Sequence, residues 1–184
     1  MTAHKVNYAY FNREYGPYLR VFFYSPSEGK KSPETLAILD SGSNKIIIPF
    51  SMGRTINLKH PGSLEEFDRI HGVGGTISFV EKPCIIYLVD KECGEMYGFW
   101  INVAWEHPYE LDIGKIEKKG IEELNMFEKS GVILGRDFLN NFKYVKFYQR
   151  RNRGYFLYKI KESKIDKTNK YPDDINKLIS GSKE

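Results

Sequence analysis

Cysteine is scarce in this chain: Cys84 and Cys93 are the only two among 184 residues. Cys84 sits in the strand-like run Pro83-Cys84-Ile85-Ile86-Tyr87-Leu88-Val89, and Cys93 in the turn Lys91-Glu92-Cys93-Gly94-Glu95. If the flanking segments form a hairpin, the thiols stand roughly 20 Å apart at strand rise, and a disulfide tolerates only about 7 Å between Cα atoms. Two free thiols are therefore expected, compatible with a reducing compartment. Histidine is also sparse, and His4, His60, His71 and His107 show no ligand spacing with each other or with the cysteines. No metal or other cofactor is expected, and His71 reads as a loop residue. No apolar run approaches the ~20 residues that span a bilayer, and Met1 to Tyr8 lacks the apolar core of a signal peptide. These two absences predict a cytoplasmic protein with no membrane partner. Charge of one sign is missing too: 28 Lys and Arg against 24 Asp and Glu leave a net +4, too little to argue for nucleic acid.

What the chain does have is aromatic residues. Thirteen Tyr and twelve Phe contribute to an aromatic share of 15%, which favours strands. Hydrophobic residues at 41% and charged residues at 28% fit a globular chain of one domain. The expected layout is one domain over residues 1–161 with its core in 18–160, an insertion at about 91–129, and a polar tail over 162–184.

Strand signals dominate the order of elements. Tyr18-Leu19-Arg20-Val21-Phe22-Phe23-Tyr24 is aromatic and β-branched, and the stretch from Ser25 to Pro33 reads as a loop. Leu36-Ala37-Ile38-Leu39 is an apolar run that should be buried on both faces, and it stops at Asp40-Ser41-Gly42. Ile46-Ile47-Ile48-Pro49-Phe50 reads as a second buried strand. Ser63-Leu64-Glu65-Glu66 has the form of a capping box, predicting a short helix over 64–70. Gly72-Val73-Gly74-Gly75 would break it, and Thr76 to Val80 resumes strand character. Met96 to Trp105 is another strand, and a helix is expected near 121–128. Val132-Ile133-Leu134 is a third buried run that ends in Gly135-Arg136-Asp137, with a short helix over 138–142. Tyr144 to Tyr148 and Tyr155 to Ile160 should close the domain as a hairpin.

Asp-Ser-Gly on its own is weak, since a D-[ST]-G triplet arises by chance in roughly one chain of this length in ten, and these residue types favour turns. Its setting is more informative. An apolar strand runs directly into Asp40, a glycine-rich hairpin follows some thirty residues later, and an apolar strand ends in Gly-Arg-Asp near the close. The ordered set Leu36-Ala37-Ile38-Leu39-Asp40-Ser41-Gly42-Ser43, Gly72-Val73-Gly74-Gly75 and Val132-Ile133-Leu134-Gly135-Arg136-Asp137-Phe138-Leu139 resembles the retropepsin-like aspartic proteases. The likeness spans about residues 35 to 148. It implies a mainly β subunit, a closed β-barrel or sandwich with one or two short helices, that acts as a homodimer.

The resemblance also implies a chemistry. Two carboxylates about 3 Å apart share one proton, because like charges that close cannot both ionise. The ionised one takes a proton from a bound water while the protonated one polarises the scissile carbonyl of a peptide or protein substrate. Asp40 would be the catalytic residue. Ser41, Gly42 and Ser43 would support its loop, Gly72, Val73, Gly74 and Gly75 would form a flap that excludes bulk water, and Arg136 and Asp137 would be structural. The chain holds one D-[ST]-G, and Leu111-Asp112-Ile113-Gly114 lacks both the hydroxyl and the apolar strand, so the second aspartate must come from a second subunit. The chain departs from many viral members at Asn44, where they carry an acidic residue that pairs with the Arg of G-R-[DN]. Arg136 is therefore expected to pair with Asp137 or a main-chain carbonyl.

Two other readings compete. A non-catalytic dimeric peptide-binding or assembly module of the same fold would have no need of the costly carboxylate pair. The basic aromatic stretch from Lys143 to Phe156 could stack and neutralise nucleic acid, but a charged surface hairpin explains it more simply.

Overall fold

The computed structural model describes residues 4–7, 10–12, 16–61, 67–72, 75–90, 95–107, 131–150 and 153–161. Most of these residues are in strands: β1 (His4–Asn7), β2 (Tyr10–Asn12), β3 (Gly16–Ser25), β4 (Lys30–Lys31), β5 (Thr35–Leu39) and β6 (Ile47–Ile48). After helix α1 (Phe50–Thr55) come β7 (Asp68–Gly72), β8 (Gly75–Asp90), β9 (Glu95–Glu106) and β10 (Ile133–Leu134). Helix α2 (Arg136–Leu139) precedes β11 (Phe142–Arg150) and β12 (Arg153–Ile160).

The larger sheet runs β2-β3-β5-β10-β6-β9-β8-β7, and β3 also pairs with β8 through Val21 opposite Leu88 and Phe23 opposite Ile86. That extra pairing closes β3, β5, β10, β6, β9 and β8 into a six-stranded barrel, which leaves no free edge among them. The interior follows the two-residue period of a strand. Leu19, Val21 and Phe23 of β3 point inward beside Ala37 and Leu39 of β5, Leu134 of β10, Val103 and Trp105 of β9, and Ile86 and Leu88 of β8. A second sheet, β1-β12-β11, stands apart in its hydrogen bonding. Rings join it to the barrel core: Phe99 meets Phe138 and Phe142, and Phe142 meets Tyr158 at 5.5 Å.

Several expectations need correction. The run from Ile46 to Phe50 is not one strand: β6 covers only Ile47–Ile48, and Phe50 opens α1. Pro49 has no N–H to give a ladder and its φ of −66° suits the residue before a helix. The helix expected over 64–70 is displaced at its end, because Asp68–Gly72 is strand β7; 62–66 lie outside the described residues. The helix after Gly135 comes earlier than expected and lasts one turn, Arg136–Leu139, with Phe142 already in β11. His71 belongs to β7, not to a loop, and its Nδ1 lies 2.8 Å from the hydroxyl of Thr76 across the hairpin. Within the span read as an insertion, Glu95–Glu106 is a full barrel strand paired along its whole length with β8. The turn with Cys93, Asp112, the expected 121–128 helix and the tail 162–184 lie outside the described residues.

Candidate active site

Asp40 stands where a core strand ends. Leu39 is 7% exposed and Asp40 itself is exposed, so the change from buried to open takes one residue. The loop that follows is short because its backbone bonds close locally. Ser43 N donates to Asp40 O at 3.2 Å, and Gly42 N donates to the Asp40 carboxylate Oδ1 at 2.8 Å. The second bond fixes the carboxylate by its own turn, as an Asx turn does. A β-carbon on Gly42 would lie 3.0 Å from that Oδ1, so glycine here gives the carboxylate its room. Ser43 holds the loop from within, its hydroxyl donating to Lys45 O at 2.9 Å, while Ser41 is exposed.

The distant Gly-Arg-Asp segment is brought into this loop. β10 lies between β5 and β6, parallel to β5 with Leu134 opposite Leu39, and antiparallel to β6 with Ile133 opposite Ile47. Main-chain bonds continue past the strand: Asp40 N donates to Leu134 O at 3.1 Å, Arg136 N to Ser43 O at 2.8 Å, and Asp137 N to Asn44 O at 3.1 Å. Gly135 is buried where the two segments cross. A β-carbon there would lie 2.7 Å from Ser43 O and closer still to Lys45 O, so only glycine fits. Arg136 is thus tied to the Asp40 loop by its backbone N–H, a bond in which its guanidinium takes no part. Asn44 contributes its carbonyl to the N–H of Asp137, not to Arg136.

The sequence reading missed Lys45. Its Nζ contacts Glu81 Oε1 of β8 at 2.5 Å and lies 4.0 Å from Asp137 Oδ2 of α2. The hydrogen bond that Lys45 donates to Glu81 holds the ammonium above the ordinary lysine value, partial burial opposes it, and the charges of Glu81, Asp137 and Asp68 add to the rise. Asp68 opens β7, so Lys45 links the Asp40 loop to α2 and to the base of the β7–β8 hairpin. A lone cation between Asn44 and Ile46 gave no signal, because its partners lie 36 and 92 positions away.

The hairpin itself pairs Asp68 with Phe79, Ile70 with Ile77, His71 with Thr76 and Gly72 with Gly75. Gly72 and Gly75 therefore face each other beneath a two-residue tip, Val73 and Gly74, which lies outside the described residues. Ile70 and Ile77 pack against a small apolar cluster of Ile47, Phe79 and Ala104, joined by Ile133. This cluster is separate from the barrel interior and includes Ile133, two residues before Gly135. The hairpin, the apolar patch and the Asp40 loop are thus neighbours. The basic aromatic stretch expected as an alternative site forms β11 and β12, in register from Val145 opposite Tyr158 to Arg150 opposite Arg153.

Among the described residues, no group of three or more His, Cys, Asp and Glu could hold a metal ion, and no helix is long and apolar enough to cross a membrane. No family model and no curated protein matches this chain.

Proposed function

We propose that the chain is one subunit of a homodimeric aspartic endopeptidase of retropepsin type, with Asp40 of each subunit supplying one carboxylate of a shared pair. The observation that carries this reading is the brace on Asp40: an exposed carboxylate at the end of a core strand, held by Gly42 N–H and locked from behind by residues 134–137. A simple surface turn has no use for a strand threaded from 95 positions away. Half-buried Ile133 beside the loop, with Ile70 and Ile77 of the β7–β8 hairpin, supports an apolar bed for an extended peptide, with that hairpin as its flap.

In this mechanism the pair holds one proton at working pH, and its apparent pKa values belong to the dyad as a unit. One carboxylate removes a proton from the attacking water and the other donates to the carbonyl oxygen, giving a tetrahedral intermediate that collapses with protonation of the leaving amine. Closure of the hairpin excludes bulk water from that exchange.

The test is hydrolysis of a peptide library at about pH 4 to 7, the window in which a dyad retains a single proton. Cleavage should occur and should vanish in Asp40→Asn, a nearly isosteric change. Cleavage that survives Asp40→Asn removes Asp40 from the mechanism. Sedimentation should show a dimer at concentrations where activity is measured, and an active monomer would overturn the shared site.

A further inference from the structure

Away from the Asp40 loop, the chain after α1 forms an open depression of about 510 Å³ lined by Arg54, Asn57, Leu58, Lys59 and His60. Its shape follows from how the helix ends. Asn57 N donates to Arg54 O and Leu58 N to Gly53 O, both at 2.9 Å, the paired bonds of a Schellman motif. The motif needs a left-handed residue, and Asn57 supplies it with φ at 59° where glycine is usual. Ile56 and Leu58 then turn into the core, which sends Asn57, Lys59 and His60 to the same side as Arg54.

Three side chains that can carry positive charge meet there. Arg54 Nη1 is buried and has no hydrogen-bond partner, an arrangement that native structures avoid. Lys59 is 82% exposed at its side chain, 3.4 Å from Glu28, and the same Glu28 accepts from Asn57 Nδ2 at 3.1 Å. Glu28 therefore offsets one charge and orients two donors without reaching the Arg54 nitrogen. His60 is held in place by its Nδ1, 3.0 Å from Nε2 of the buried His107.

We propose that this depression is a phosphate-binding site that takes a free phosphate or the terminal phosphate of a monoester. Arg54 is its principal contact, and Asn57, Lys59 and His60 complete it. A guanidinium presents parallel N–H donors that match two oxygens of one oxyanion, which Arg54 meets by turning its enclosed Nη1 out into the depression. Phosphate fits better than a single carboxylate. It carries more charge and spreads its acceptors in a tetrahedron, as donors from three positions after the helix and one within it require. The site is independent of the proposed protease reading.

The experiment is thermal unfolding of the full chain with inorganic phosphate, glycerol phosphate or acetate, each matched in ionic strength with sodium chloride. Phosphate should raise the midpoint progressively with concentration, as ligand linkage requires. Glycerol phosphate doing the same identifies a monoester site, whereas a response to inorganic phosphate alone identifies a site for the free ion. Arg54→Met should weaken the apparent phosphate affinity at least about tenfold, the worth of one charge-assisted hydrogen bond. If Arg54→Met does not fold, the exposed Lys59→Met carries the same comparison, with phosphorus NMR titration of the unaltered chain beside it. No shift beyond chloride, an equal shift with acetate, or an unchanged response in the variants would each overturn the site.

Discussion

Gly135 is the residue on which the Asp40 loop depends most. Any side chain must displace the carbonyls of Ser43 and Lys45, which also carry the loop's own bonds. Gly135→Ala should therefore cost about 1–3 kcal/mol, the range for forced overpacking, and should abolish cleavage even where the barrel survives; urea unfolding and the peptide assay separate the two effects. Cys84 shows a different residue-scale effect. Burial pushes its thiol from 9.0 up to about 12. A raised value means that the folded state keeps the proton, so the stability linked to Cys84 is whole below pH 9 and is lost as pH rises from 9 towards 12. The slope in that window approaches about 1.4 kcal/mol per pH unit. A thiol reagent at neutral pH should modify Cys84 only at the rate of unfolding, and Cys84→Ala should flatten the alkaline limb. Asp40, Gly42 and Gly135 were legible in the sequence because each belongs to a short motif flanked by core residues. Lys45 was not, since contacts across a sheet depend on a register that no local pattern encodes.

Among the elements, α1 is one that the residue pattern concealed. Six residues are too few to show a helical period, and Ile46-Ile47-Ile48 carried the strand signal straight into it. What makes the helix is tertiary: the Phe50 ring stacks on Trp105 at 5.5 Å, Trp105 Nε1 donates to Phe50 O at 3.1 Å, and Gly53 lies against the indole. A methyl on Gly53 would meet Trp105 Cδ1 at 2.5 Å and its neighbours closer still. Gly53→Ala should displace α1, lower stability by about 1–3 kcal/mol and shift the emission of Trp105 to the red, the other tryptophan, Trp100, being already 60% exposed. The β7–β8 hairpin offers a milder test. Lys45 and Glu81 are both partly exposed, so Lys45→Met should cost no more than about 1 kcal/mol, while peptide turnover should fall by more than that loss explains if the pair steadies the hairpin over the Asp40 loop.

For the whole molecule, the closing seam between β3 and β8 decides whether the sheet is a barrel or an open ribbon. Phe23 is fully buried at that seam, opposite Ile86, and Phe23→Ala should cost about 3–5 kcal/mol by leaving a cavity where two strands must meet. Strand content was legible because the aromatic, β-branched run from Tyr18 to Tyr24 and the apolar run before Asp40 both leave a local mark, although the second is not buried on both faces as expected, Leu36 being 40% exposed. The strand order was not: β10 inserts between β5 and β6, which are neighbours in sequence, and nothing within either strand announces a third between them. β9 was legible as a strand over Met96 to Trp105, but counting 91–129 as an insertion hid that it completes the wall.

That inserted strand also has a consequence in time. Asp40 leaves the ribosome 97 residues ahead of Asp137, and at about 5–20 residues per second the interval is several seconds. Throughout it the loop lacks the carbonyl of Leu134 and the amides of Arg136 and Asp137 that hold it. If the proposed mechanism holds, a nascent chain stays inert until residues 134–137 have emerged, and any fragment that stops before residue 132 carries the aspartate without the bonds that hold its loop.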